Sequence, residues 1–253
     1  MTNSIFSCSF QKIDLLETRK QHACLVNAVR SLGLDVLELP PDESNAASVF
    51  TQDLAVVVNG IALMCRPSSY RDGKSASQVR QVEVDTMRAV LKKELNQTIV
   101  DPPWTNNALL SGSDVLFTGR EFFVGLSDHT NMEGALAVAA TWPEYPCTPI
   151  KVRFCFKSFR WEKDMCQIFQ IDGPFSLKYF LNMAGPDVIC VGSSGAAQVV
   201  LKRVEREASQ RYQTLTLPED GAAGCIFVNG TLVHRSKEET PKCEAVIAKL
   251  KHE

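Results

Sequence analysis

The sequence has no apolar run approaching the roughly 18 to 20 residues that a membrane-spanning helix needs. Its first ten residues carry polar Thr2, Asn3 and Ser4 where a secretory signal wants positive charge. Both absences point to a cytoplasmic protein with no membrane partner, and the sequons Asn96-Gln-Thr and Asn229-Gly-Thr then read as chance. Cys-x-x-Cys spacing is also missing, although there are nine cysteines. An odd set of thiols, mostly inside apolar runs, excludes a disulfide framework and gives no metal site; they read as small buried side chains. No glycine-rich phosphate loop occurs, nor any Ser/His/Asp order with a supporting motif. Excess positive charge is lacking as well, with 27 Lys plus Arg against 29 Asp plus Glu and a net charge of −2. A general nucleic-acid surface is therefore not expected. What remains is ordinary globular usage, 253 residues with 45% hydrophobic and 22% charged, read as a single domain over 1–253 able to bury a sizeable core.

One local pattern recurs along the chain. Asp53-Leu-Ala-Val-Val-Val-Asn-Gly-Ile-Ala-Leu-Met-Cys-Arg66 reads as two strands joined by Asn-Gly, which supplies positive φ at both centres of a two-residue hairpin. Cys225-Ile-Phe-Val-Asn-Gly-Thr-Leu-Val-His-Arg235 repeats it. Asp114-Val-Leu-Phe-Thr-Gly-Arg-Glu-Phe-Phe-Val-Gly-Leu-Ser127 does so with a Thr-Gly-Arg turn, and Asp187-Val-Ile-Cys-Val-Gly-Ser193 is a shorter copy. In this reading Asp53, Asp114 and Asp187 each open a hairpin. Apolar residues at helical spacing follow: Val84, Met87, Leu91 and Leu95; Leu136 and Ala140; Ala197, Val200, Leu201, Val204 and Ala208; Val246, Ile247 and Leu250. Short strands come next, at residues 97–102 and 212–218, and at 34–40 after an opening helix over about 18–33.

The unit is thus strand, strand, helix, strand. The opening helix lacks a preceding hairpin, and the closing helix, over about 240–252, lacks a following strand. Five units with incomplete first and last members predict a five-fold pseudo-symmetric β/α propeller with its helices outside. An open mixed α/β sheet is the alternative. Open ring edges, together with an apolar face on Val246, Ile247 and Leu250, predict self-association.

Three segments, Leu34-Asp-Val-Leu-Glu-Leu-Pro-Pro-Asp-Glu-Ser44, residues 114–127 and Met183-Ala-Gly-Pro-Asp187, resemble the dimethylarginine dimethylaminohydrolase family, the middle one most specifically. Lys20-Gln-His22, Val49-Phe50, Asp53, Arg66-Pro67, Glu83-Val-Asp85 and Lys249-Leu-Lys251 fall in the same order, so the resemblance covers about residues 13–251. It implies the pentein fold, no cofactor, and hydrolysis of methylated arginine to citrulline with release of methylamine or dimethylamine. That chemistry uses a cysteine thiolate against the guanidinium carbon, a histidine to move protons, and carboxylates around the cation.

Carried over residue by residue, the resemblance leaves the catalytic set incomplete. The family's cysteine lies in a Cys-Cys-Ser segment that would follow Glu253, and Ser176 stands where its Asp-Gly-Leu-His-Leu-Lys motif has histidine. Serine does not act as a base near neutral pH. One pocket Asp aligns with Ala47 and a Glu with Gln52, while Asp53 is retained beside Phe50. His129 replaces an arginine, Ser111-Gly-Ser-Asp114 keeps only the last acid of Asp-Gly-Gly-Asp, and Arg80 matches an arginine that would hold the substrate's α-carboxylate. The resemblance therefore implies an arginine-like small molecule as ligand, with two readings in competition: an amidine hydrolase, or a non-catalytic relative that binds arginine-like ligands or a protein.

Plainer readings stand beside these. Asp53 can be a strand-start acid bonded to local amides, and Arg80 a solvated charge. Cys225 and His234 fall opposite one another when the Asn229-Gly230 hairpin is counted outward, which reads as a structural pair because no third group orients the base. Residues 151–170 have no family counterpart and read as an insertion. Five basic residues and four aromatics alternate between Lys151 and Lys163, types that nucleic-acid grooves use, but an added hairpin or a gene-model artefact is the preferred account.

Overall fold

The computed structural model describes residues 14–40, 46–67, 80–152 and 176–249. The chain divides into two compact units, Met1–Pro40 and Pro41–Glu253. In the first, helix α1 spans Leu15–Ser31. Asp14 caps it by accepting from the Leu16 and Glu17 amides, and Arg30 in its last turn reaches the Val36 carbonyl and Glu38. Residues 34–40, expected as a strand, carry no ladder. The third strand of a copy pairs with its own hairpin, and no hairpin precedes this segment among the described residues.

The second unit contains the repeat. Strands β1 (Ala55–Val58) and β2 (Ile61–Met64) form a hairpin closed by Asn59 at φ 51° and Gly60 at φ 78°. Positive φ at both centres gives the turn the twist of its strands, and Gly60 adopts it at no steric cost. Helix α2 (Gln81–Lys93) then leads to β3 (Thr98–Val100), which pairs parallel to β2. The second copy runs β4 (Val115–Phe117), β5 (Phe122–Leu126), α3 (Met132–Thr141) and β6 (Cys147–Lys151), with the same antiparallel and parallel pairings. The third begins with a short helix, α4 (Leu177–Phe180), followed by β7 (Leu181–Gly185), β8 (Val188–Gly192), α5 (Gly195–Glu207) and β9 (Gln213–Leu217). A fourth hairpin, β10 (Ile226–Val228) and β11 (Thr231–Val233), is followed by α6 (Glu244–Ile247). Among the described residues this is a mixed α/β fold of three separate three-stranded sheets and a two-stranded one, not one continuous sheet.

Several expectations need correction. Asp187 does not open a hairpin: it sits in the β7–β8 turn at φ 59°, and Pro186-Asp187 is itself turn chemistry. Lys151 closes β6 opposite Leu126 and Val152 is buried, so both belong to the repeat. Residues 153–170 lie outside the described residues, as do Ala47's side chain and Leu250. The closing helix is a single turn over Glu244–Ile247. Val246 and Ile247 are half-buried and pack against a core that holds Cys190, Cys225 and Cys243. Among the described residues, no helix is long and apolar enough to cross a membrane.

Neighbouring copies share their cores. On β5, Phe122 packs with Val56, Leu63, Val138 and Trp142, whereas Phe123 packs with Ile189, Val191, Val200 and Val204. Successive side chains on a strand point to opposite faces. A strand buried on both faces must therefore be apolar throughout, which is why Phe122-Phe123-Val124 does not alternate.

Candidate functional site

The charged residues gather where the copies begin. The short 3₁₀ turns Thr51–Asp53 and Gly112–Asp114 lie against each other so closely that a Cβ on Gly112 would sit 2.1 Å from the Gln52 carbonyl oxygen. Only glycine permits that approach. It places Ser111 beside Asp53, and the Ser111 hydroxyl donates to Asp53 Oδ1 at 2.8 Å while lying 2.8 Å from Ser113 Oγ.

Arg80, immediately before α2, completes this half of the site. Its Nη1 donates to Asp53 Oδ2 at 3.3 Å, its Nε donates to Glu83 Oε2 at 2.6 Å, and its Nη2 reaches the same Glu83 oxygen. The side chains of Arg80, Asp53 and Glu83 are only 3%, 7% and 11% exposed. Burial at this level removes solvent screening, so the array stands or falls as a unit.

Asp114 anchors the other half. Its Oδ2 accepts from Ser127 Oγ at 2.6 Å and Thr130 Oγ1 at 2.8 Å, and its Oδ1 accepts the Leu177 amide at 2.8 Å. Burial pushes this carboxyl up to about 6, against the downward pull of those hydrogen bonds and with a further push from Asp53. The halves are joined because the Ser111 amide donates to Thr130 Oγ1 at 3.0 Å. Lys178 Nζ donates to the Gly112 carbonyl at 3.0 Å, and burial lowers its pKa against the opposing pull of Asp53 and Asp114. Cys65 is pushed up first by burial and then by Asp53, so its thiol stays protonated and is not an activated nucleophile.

The structure sorts the residues singled out from sequence. Asp53 and Arg80 are brought into direct contact. His129 is buried; its amide donates to Ser127 Oγ at 2.9 Å, and burial lowers the imidazole pKa while Asp53 opposes the shift. Ser176 is half-buried, one residue before the Leu177 amide held by Asp114, and its side chain makes no capping bond to α4. Gln52 and Phe50 are exposed, Phe50 at 45%. Cys225 and His234 do not form a pair: the register Ile226↔Val233 holds, but Cys225 is buried with its sulfur 3.9 Å from the Met183 carbonyl, while exposed His234 bonds to the Arg235 carbonyl. Sequence reasoning missed Glu83 as a partner of Arg80, although i,i+3 spacing at a helix start signals it. It also missed Ser111, Ser113, Thr130, Cys65 and Lys178, which reach the site through contacts distant in sequence.

A cavity of about 340 Å³ lies on the α2 side, lined by Met64, Val84, Trp104, the Arg88–Asp101 pair and others, and shares Cys65 with the charged cluster. It contains neither Asp53 nor Arg80, so this cavity and the charged site do not coincide.

No family profile matches the chain. Human DDAH2 is 35% identical over 246 residues, spanning 94% of this chain and 76% of that protein, and bovine DDAH2 is 34% identical over the same shares. The N(G),N(G)-dimethylarginine dimethylaminohydrolase of Pseudomonas aeruginosa is 25% identical over 140 residues, 55% of this chain and 51% of that protein. Among solved structures, a Pseudomonas aeruginosa dimethylarginine dimethylaminohydrolase variant with citrulline aligns at a TM-score of 0.66 and 21% identity, covering 95% of this chain and 81% of that one. An amidinotransferase of Microseira wollei aligns at 0.68 and 13% identity, covering 94% and 76%. Similarity of this level across nearly the whole chain, on a matching mixed α/β fold, makes the chain a member of the dimethylarginine dimethylaminohydrolase family.

Proposed function

We propose that this chain keeps the family's fold, as a five-bladed β/α ring, while its site does not turn methylated arginine over to citrulline. One observation carries the reading: the guanidinium of Arg80 already occupies Asp53, the one carboxylate retained where the family places acids around a substrate cation. An incoming guanidinium would have to displace Arg80 from a buried pair, and separating such a pair costs about 3–5 kcal/mol. Two further features agree with it. Ser176 stands at the family's histidine position, and Cys65, the thiol beside the cluster, is held protonated. The three complete copies and the fourth hairpin support the ring, since each supplies an antiparallel hairpin followed by a helix.

A second reading, a working amidine hydrolase, rests on the relatives: one solved neighbour holds citrulline and another an adduct with S-methyl-L-thiocitrulline. A citrulline assay on the purified chain with dimethylarginine separates the two, and the expected result is no product above the no-enzyme control. Time-linear citrulline that disappears in Asp53→Ala and Arg80→Ala would establish the hydrolase reading instead.

A further inference from the structure

The cavity beside α2 is a space that the charged cluster leaves unused. Its inner wall is apolar: Met64 ends β2, Val84 lies in the first turn of α2, and both are buried. Trp104, half-buried against the core shared by the first two copies, forms another side. The mouth is polar, since Gln81 and Asp101 are exposed. Its volume of about 340 Å³ falls within the range of about 300–1,000 Å³ that small-molecule sites have.

Two guanidiniums fix these walls. Arg66 exchanges both backbone bonds with Leu110, at 3.0 and 3.1 Å, and its Nη1 donates to the Thr105 carbonyl, which ties the Trp104 loop to the end of β2. Arg88 of α2 donates from Nη1 to Asp101 Oδ2 at 2.9 Å and so ties the start of the same loop to the helix. Walls set before a ligand arrives lower the ordering cost of binding.

Donors outnumber acceptors here. Arg88 meets Asp101 and, at 3.8 Å, Asp85. Arg66 meets no carboxylate among the described residues: its side chain bonds to a neutral carbonyl, and Glu133 nearby accepts instead from the Thr105 hydroxyl. Each guanidinium carries five N–H donors and hydrogen-bonds through one nitrogen, and Arg88 Nε is buried with no acceptor. A half-buried cation with spare donors favours an anion, and the planar fork of arginine matches the two oxygens of a carboxylate. The apolar wall and the Trp104 indole suit a flat hydrocarbon body.

We propose that this cavity binds a small carboxylate with a flat apolar body, an aryl carboxylic acid, with its carboxylate at Arg66 and its ring against Met64, Val84 and Trp104. Neither Asp53 nor Arg80 lines the cavity, so the site stands or falls independently of whether the chain hydrolyses methylated arginine.

The test is isothermal titration calorimetry of the full chain with naphthoate, with naphthylmethanol as the uncharged counterpart and acetate as the carboxylate without a ring. The expected result is saturable naphthoate binding, with naphthylmethanol weaker by about tenfold or more and acetate not bound measurably. Arg66→Met keeps the apolar stem and should weaken naphthoate by about tenfold or more while leaving naphthylmethanol unchanged. Asp101→Asn, at an exposed position, should tighten naphthoate a few-fold by removing the acid that competes for Arg88. In spectra of the nitrogen-labelled tryptophans, naphthoate should move the Trp104 indole resonance, identified by Trp104→Phe, and leave that of Trp142, sealed in the core, in place. The proposal is overturned by naphthylmethanol binding as tightly as naphthoate, by no saturable naphthoate binding up to millimolar concentration, by a Trp104 resonance that does not move, or by Asp101→Asn failing to tighten naphthoate. If Arg66→Met does not fold, Asp101→Asn and the spectra of the unaltered chain decide.

Discussion

Replacing Arg80 by methionine tests whether the buried charge array holds the start of the repeat together. Methionine keeps most of the apolar stem and removes the guanidinium, so lost packing contributes little. What is lost is the cation facing Asp53 and Glu83, in surroundings where the three side chains are 3%, 7% and 11% exposed. Stripping one partner from a buried ion pair costs about 3–5 kcal/mol. For a chain of this size about 2–4 °C of Tm accompanies each kcal/mol, so a fall of roughly 6–20 °C is expected. Asp53→Asn should cost less, about 1–3 kcal/mol, because Arg80 keeps Glu83 and the amide oxygen can still accept from Ser111. Urea unfolding of the single and double variants gives the coupling directly, and the double variant should cost less than the two singles added together. Raising the salt concentration should leave the difference in place, since buried pairs are weakly screened. An Arg80→Met chain within about 1 kcal/mol of the parent would refute the argument, since exposed pairs give values of that size.

Other parts of the site give independent tests. Asp114 has a folded pKa of about 6, above its ordinary value, so its contribution is fully present below the unfolded pKa near 4 and is lost as pH rises through about 6. Urea unfolding of the parent and of Asp114→Asn from pH 4 to 7 should therefore show the parent losing about 3 kcal/mol relative to the variant, and a constant difference would contradict the burial argument. Gly112→Ala should destabilise by about 1–3 kcal/mol or prevent folding, because its Cβ meets the Gln52 carbonyl at 2.1 Å. Gly221→Ala, whose Cβ would meet only Arg235 Nε at 3.9 Å, is the control and should unfold close to the parent in the same thermal scan. Glu121 is fully buried and accepts the Ser209 and Gln210 amides and the Tyr212 hydroxyl, so Glu121→Ala should cost about 3 kcal/mol. Tyr212 is pushed up to about 12, first by burial and in part by Glu121, so the same variant should lower its phenolate titration followed by ultraviolet absorbance.

Local signals made the repeat legible and left the site mostly hidden. Asn59-Gly60 and Asn229-Gly230 define their hairpins because few other dipeptides accept positive φ at both positions, and the structure places both turns there. Strand β6 escaped notice because Pro149 interrupts it. Proline is tolerated there because β6 is the edge of its sheet, where an absent N–H leaves no ladder bond unmade. The charged site depends on pairs such as Ser111 with Asp53, 58 positions apart, and Leu177 with Asp114, 63 apart. No periodicity in sequence encodes such contacts. Glu121, just after the Thr118-Gly-Arg turn, is a buried clamp on the loop before β9, 88 to 91 positions away.

The repeat also supplies its own control for the role of Asp53. Each of the short turns Thr51–Asp53, Gly112–Asp114 and Asp220–Ala223 precedes a hairpin and carries an acid. Asp114 accepts the Leu177 amide and two hydroxyls, and Asp220 accepts the Ser194 amide at 3.0 Å, so an acid at this place can be held by amides and hydroxyls. Asp53 instead meets a guanidinium, and the difference lies in the helix that follows. Helices α3 and α5 begin after Asn131 and Ser194, whose side chains cap the Gly134 and Ala197 amides. Helix α2 begins after Arg80, which makes no capping bond. Giving up a side-chain cap costs about 1 kcal/mol, so the first copy departs from a rule its siblings obey. Departures of that kind are expected where a residue serves a site, and this one turns a turn-forming acid into half of a buried charge pair.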